Sequence, residues 1–145
     1  MIIEVASEAA TKELGEKLGK QLKGGEVFQL VGDVGAGKTT FVKGLAKGLE
    51  VDDEVQSPSF TISRVYDGRD TLQLVHYDFY RLTDAGIMAD ELSEMVNDPQ
   101  TITVVEWADI VEGVLPEGHF TISITAPTET TRAITVPDEF GENEA

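Results

Sequence analysis

Eight consecutive residues carry chemistry that the rest of the chain has to serve. Gly32-Asp33-Val34-Gly35-Ala36-Gly37-Lys38-Thr39 fits G-x-x-x-x-G-K-[ST], the pattern of a phosphate-binding loop. Glycines let the backbone curl so that successive N–H groups point inward at phosphate oxygens. Lys38 supplies a mobile positive charge for the β- and γ-phosphates, and the Thr39 hydroxyl is a ligand for Mg²⁺. A helix starting at this point adds its positive end. Asp33, Val34, Gly35, Ala36, Gly37, Lys38, Thr39 and Thr40 are therefore the candidate nucleotide-binding residues.

Nucleotide hydrolysis also needs an acid at the metal and a group that orients water. Two acids stand at the ends of strand-like runs: Glu106 after the β-branched Thr101–Val105, and Asp78 after Leu74–Tyr77. A carboxylate held by a cation keeps a low pKa and makes a poor base, so the two tasks fall to two groups. The favoured assignment puts Glu106, with Thr39, at the metal and Asp78 at the water. Lys38, Asp78 and Glu106 are thus the candidate catalytic residues. His76 reads as a packed strand residue and Trp107 as a half-buried aromatic. Arg81 could reach phosphate or pair with the acidic surface, and Arg132 reads as a surface residue. The hydroxyls of Ser57, Ser59 and Thr61 could sense a γ-phosphate or simply serve turn chemistry.

The elements that must position these groups follow from periodicity. Glu26–Val31 reads as a buried strand entering the loop. Lys38–Leu49 reads as the helix leaving it, with Phe41, Val42, Leu45, Ala46 and Leu49 on one face. Before them, Ile2, Ile3 and Val5 suggest a short strand. Ser7 caps a helix to about Leu22 with Ala10, Leu14, Leu18 and Leu22 inward. After them, Phe60–Tyr66 and Thr71–Asp78 form a hairpin about the turn Asp67-Gly68-Arg69-Asp70. In its second strand Leu72, Leu74, His76, Asp78 and Tyr80 share a side. Thr83–Val96 is helical, Thr101–Glu106 is a strand, and Ala108–Val114 is a short helix. Phe120–Ile124 and Arg132–Val136 make a terminal hairpin. The expected architecture is α/β: a P-loop NTPase fold of three layers, with a central, mostly parallel sheet and additional β-hairpin elements. Residues 1–137 form one domain, and 138–145 an acidic, disordered tail.

Composition narrows the setting. The 145 residues include no cysteine, which excludes disulfides, zinc thiolates and cysteine nucleophiles and suits a reducing cytoplasm. No apolar run approaches the roughly 18 residues of a membrane span, and the N-terminus lacks a signal-peptide pattern. Residues 1–47 hold seven Lys and six acids, whereas residues 48–145 hold four Arg and 21 acids, giving −16 overall. That balance opposes unaided binding to nucleic acid or anionic membrane. It also requires strong local compensation for any bound nucleotide.

Four stretches together resemble one family, the bacterial TsaE (YjeE) ATPases of tRNA threonylcarbamoyladenosine biosynthesis. They are Gly32–Phe41, Ser57-Pro58-Ser59-Phe60-Thr61, His76-Tyr77-Asp78-Phe79-Tyr80-Arg81-Leu82 and Val105-Glu106-Trp107. The resemblance spans about residues 5–125. Ser59 stands where the family usually has Thr, and Ala108 where Pro often follows Glu-Trp. The resemblance implies binding of ATP with Mg²⁺, slow hydrolysis by the isolated protein, and work with TsaB and TsaD, which make the modified adenosine. TsaE's own ATP cycle would reset that complex, and tRNA would be met only through it. It also implies that Glu8 and Thr11, near the start of the first helix, help hold the nucleotide. Two other readings of the same loop remain: a small-molecule kinase, for which the four scattered arginines offer no evident lid, and a nucleotide-gated binding module with incidental turnover. No Asn-Lys-x-Asp is present to read guanine, so ATP is preferred to GTP.

Overall fold

The computed structural model describes residues 2–32, 37–52, 63–79, 87–107, 115–116, 118–137 and 140, without the side chains of 87 and 88. The expectations for Asp33–Ala36, Ser57–Thr61, Tyr80, Arg81 and the helix at 108–114 lie outside these residues. The elements run β1 (Ile2–Val5), α1 (Glu8–Gln21), β2 (Val27–Val31), α2 (Lys38–Gly48), β3 (Ser63–Asp67), β4 (Gln73–Asp78), α3 (Ile87–Val96), β5 (Thr101–Glu106), β6 (Phe120–Thr125) and β7 (Arg132–Thr135).

The strands form one seven-stranded sheet in the order β1-β7-β6-β2-β5-β4-β3. The parallel core expected from the sequence is β6-β2-β5-β4. The two ends of the sheet are antiparallel: β3 pairs with β4 as the expected hairpin, while β7 joins β6 to β1. The sheet is therefore mixed, parallel in its middle and antiparallel toward its edges. Every residue of β5 is buried. Alternation sorts the side chains. Phe28, Leu30, Leu74, Ile102, Val104 and Ile122 meet α1 and α2. On the opposite face Val27, Val75, Tyr77 and Val105 meet Leu92 and Val96 of α3. Among the described residues no helix is long and apolar enough to cross a membrane.

Ser7 caps α1 as expected, its hydroxyl oxygen accepting from the Ala10 N–H at 3.0 Å. The Glu26 carboxylate ties the turn from α1 into β2 by accepting from the N–H groups of Lys23 and Gly24 at 2.9 and 2.7 Å. Helices α1 and α2 lie parallel with their backbones in contact. A Cβ placed on Gly44 would stand 2.0 Å from the Lys12 carbonyl oxygen. One on Gly15 would stand 2.4 Å from the Phe41 oxygen, and one on Gly48 2.3 Å from the Glu16 oxygen. The C-terminal ends of both helices converge on Arg69, just after β3. Its guanidinium donates to the carbonyls of Gly48 and Leu22, each at 2.7 Å, and more loosely to Gly19 and Lys20 at 3.3 Å. Within the segment read as an acidic tail, Phe140 packs against Phe28 and Phe120, with ring centroids 5.7 and 5.0 Å away.

Tyr77 is fully buried, and its hydroxyl has no hydrogen-bond partner among the described residues. Burial, and then the negative charge of Glu91, push its pKa well above the usual tyrosine value; the Glu91 carboxylate acts through space, outside hydrogen-bonding geometry.

Two predictions follow from this packing. Alanine normally gains about 1 kcal/mol over glycine inside a helix. Gly44→Ala is expected to do the reverse and lower stability by about 2–3 kcal/mol, because backbone cannot move aside as a side chain can. Urea denaturation checks this, and an unchanged or raised midpoint contradicts the helix contact. For Tyr77, the native state holds the phenolic proton more tightly than the unfolded chain. Its contribution to stability is full below about pH 10 and falls as pH rises from there toward the native pKa. Tyr77→Phe should therefore fold at least as stably near pH 7 and lose less stability above pH 10 than the wild type.

Candidate active site

The C-terminal ends of parallel strands share one edge of the sheet, where open α/β folds place ligands. Here β2 delivers Gly32, β5 delivers Glu106 and β4 delivers Asp78 to that edge. The register sets Leu30 and Asp78 directly across from Glu106 on its two sides. The two acids chosen from the sequence are thus neighbours at one level of the sheet. Both are buried, Glu106 at 3% and Asp78 at 7% exposure.

Helix α2 begins at the same edge. Gly37 precedes it with φ of 104°, a left-handed conformation that a side chain would strain, and its carbonyl accepts the N–H of Phe41. This accounts physically for the glycine just before the lysine. Lys38 is the first helical residue and is 7% exposed. Its ammonium lies 3.4 Å from Glu106 Oε1 and 4.3 Å from the centre of the Trp107 ring. Trp107 itself has φ of 57°, so the chain turns sharply as it leaves β5 and lays the indole over the lysine. The other oxygen of Glu106, Oε2, is in a short hydrogen bond with His76 Nε2. Lys38, Glu106, His76 and Trp107 therefore form one contiguous cluster, with Asp78 beside it and Thr39 and Thr40 in the first turn of α2.

Beside the cluster, the N-terminal ends of α1 and α2 and the β6–β7 turn enclose a cavity of about 300 Å³. Ser7, Glu8, Thr11, Gly37, Thr40 and Arg132 are among its lining residues. Arg132 lies at the surface of the hairpin turn, as expected, and its guanidinium closes that turn by donating to the carbonyls of Thr131, Thr128 and Glu129 at 2.8, 3.2 and 3.3 Å. His76 is packed, as expected, and also bonds Glu106, a contact that its place in the sequence leaves open. The one signal is that on the face of β4 that runs Leu72, Leu74, His76, Asp78 the polarity begins at His76.

The donor set suits a hard cation held jointly with a phosphate. Mg²⁺ is typically bound through one or two carboxylates together with substrate phosphates, rather than by a protein cage. Among the described residues no group of three or more acids and histidines could hold a metal alone. The carboxylate of Glu106 and the hydroxyl of Thr39 are the first candidates, with Asp78 adjacent.

Known proteins resemble this one over most of the chain. The sequence profile described as "Threonylcarbamoyl adenosine biosynthesis protein TsaE" matches residues 5–134. A protein of Treponema pallidum named "tRNA threonylcarbamoyladenosine biosynthesis protein TsaE" is 40% identical over 126 residues, covering 87% of this chain and 92% of the relative. Its namesake from Bacillus subtilis is 40% identical over 130 residues, covering 86% and 77%. That from Aquifex aeolicus is 43% identical over 105 residues, covering 71% and 73%. Among solved structures, the crystal structure of Bacillus subtilis YdiB superposes with a TM-score of 0.76 at 32% identity, covering 98% of this chain and 89% of that one.

The buried pair gives a prediction of its own. Removing one member of a buried ion pair strands the other and costs about 3–5 kcal/mol. Glu106→Leu should fall in that range in a chemical denaturation series. Lys38→Met combined with Glu106→Leu should cost clearly less than the two single losses summed. Simple additivity in this double-mutant cycle would mean that the two side chains are not coupled.

Proposed function

The chain belongs to the TsaE family, and from that premise we propose that it is a Mg²⁺-dependent ATPase of P-loop NTPase fold acting in threonylcarbamoyladenosine modification of tRNA. The observation that carries the reading is the placement of Lys38 against Glu106, where G-x-x-x-x-G-K-T passes from β2 into α2. A phosphate-loop lysine beside a strand-end acid is the pairing that phosphoryl chemistry requires.

The residues take the following roles. Backbone N–H groups from Val34 to Thr39 cradle the β- and γ-phosphates, and the left-handed Gly37 turns the chain so that the helix opens toward them. Lys38 neutralises charge on the transferring phosphoryl group. Its ammonium already sits in a dry setting between Glu106 and Trp107, where electrostatic interactions are stronger than in water. Thr39 and Glu106 are the residues that would hold Mg²⁺, and the bound ion would polarise the phosphate oxygens and offset their charge. Asp78, one strand over, orients the attacking water. The cavity lined by Thr11, Thr40 and Arg132 takes the nucleoside part.

The acidic exterior supports a division of labour. At −16, the protein grips tRNA only through others. TsaB and TsaD are the proposed partners, in the cytoplasm, and ATP hydrolysis resets their complex.

Phosphate release from Mg-ATP tests this, measured alone and with purified TsaB and TsaD. Slow release alone, stimulation by the partners, and loss of about 100-fold or more in Lys38→Ala are expected, the last from the size of a removed charge-stabilising donor. Asp78→Asn should bind ATP yet turn over slowly. Intact nucleotide binding with no partner effect would overturn the partnership. Turnover that needs an acceptor other than water would mark a kinase.

A further inference from the structure

We propose that His76 is a positioning residue for Glu106: it fixes the plane of that carboxylate so that one oxygen is held inside the sheet and the other faces Lys38 and the phosphate loop. The inference rests on the assignment of Glu106 as a Mg²⁺ partner.

The parallel register shows how the two meet. Asp78 stands directly opposite Glu106, whereas His76 stands opposite Val104, two residues deeper on the same face. His76 therefore reaches Glu106 diagonally, from the buried side. The ring is fully buried, and it is held on a strand flanked by β3 and β5. It is a rigid donor with little room to move.

Glu106 needs such a donor. The last torsion of a glutamate side chain is broad and roughly two-fold, so burial alone does not orient the carboxylate. Lys38 does not supply the constraint, because its long flexible stem carries the group that phosphate recruits. His76 engages Oε2 while Lys38 faces Oε1, so the two oxygens have separate tasks. An ionised carboxylate only accepts, which puts the proton on Nε2 of the ring. Nδ1 has no hydrogen-bond partner among the described residues, so Nε2 is the atom through which the ring is tied. Hydrogen bonds of this kind behind a metal ligand are worth about 10–100-fold in metal affinity or activity.

The test is calorimetric titration of the protein with ATP, in EDTA and over a series of Mg²⁺ concentrations, for wild type, His76→Gln, His76→Asn and His76→Leu. Gln carries an amide N–H near the place of Nε2, whereas Asn is too short and Leu has no donor. Thermal melts of each variant identify the folded ones, and Asn stands in for Leu if the latter does not fold. The expected result is that Asn and Leu raise the half-saturating Mg²⁺ concentration about tenfold or more, leave ATP affinity in EDTA unchanged, and are rescued in Gln. Equal Mg²⁺ dependence in wild type and His76→Leu, or in wild type and a folded His76→Asn, would reduce His76 to a packing residue. Failure of Gln to rescue would also overturn positioning through Nε2. A wild type whose ATP affinity ignores Mg²⁺ would overturn the assignment of Glu106, and this inference with it.

Discussion

A carboxylate with 3% exposure in the middle of a sheet is costly unless its charge is answered. Glu106 is that carboxylate, and much of the local structure answers it. Its neighbour strands are parallel, so their C-terminal ends arrive together and bring Asp78 and the phosphate loop to the same edge. The helix that follows the loop starts with Lys38, which meets one oxygen. His76 meets the other from behind. The sharp turn at Trp107 covers the ammonium with an indole face and keeps the pair dry. A charge that would destabilise an isolated sheet is thereby made the centre of a site.

The sequence made much of this legible, for definite reasons. The loop motif is rigid in its spacing, so Lys38 could be placed at the start of a helix without any tertiary information. Glu106 and Asp78 are legible because each ends a strand in a chain that carries the phosphate-loop motif upstream, and the structure sets them side by side. Sheet order was less accessible. The terminal hairpin was visible as β6 and β7, but nothing in the local pattern shows that β1 pairs with β7 at the far edge. His76 looked like a packed residue, and it is packed. Its second property, the bond to Glu106, depends on the offset between β4 and β5, which only pairing fixes. The roles of Asp33–Ala36 and of Ser57–Thr61 rest on motif and resemblance alone.

Arg69 and the helix glycines show where one-dimensional reading stops. Arg69 was one of four scattered arginines, yet it gathers the carbonyl ends of two helices. A turn residue with no periodic partner gives no hint of such a role. Gly15, Gly19, Gly44 and Gly48 do carry a pattern, a four-residue spacing on each helix. Read one helix at a time, these glycines weaken α1 and α2. Read together, they are what allows the helices to touch.

That contact has a mechanical consequence. Side chains between two helices usually act as a cushion, because a change of rotamer absorbs a small displacement. Between α1 and α2 the cushion is missing over much of the seam, and Arg69 laces the far ends together. The pair therefore behaves as a single stiff plank lying across the sheet. One corner of the plank is the first turn of α2 at the phosphate loop; another is Ser7, next to edge strand β1. A tilt imposed at the loop is carried along the seam to the helix ends that Arg69 gathers.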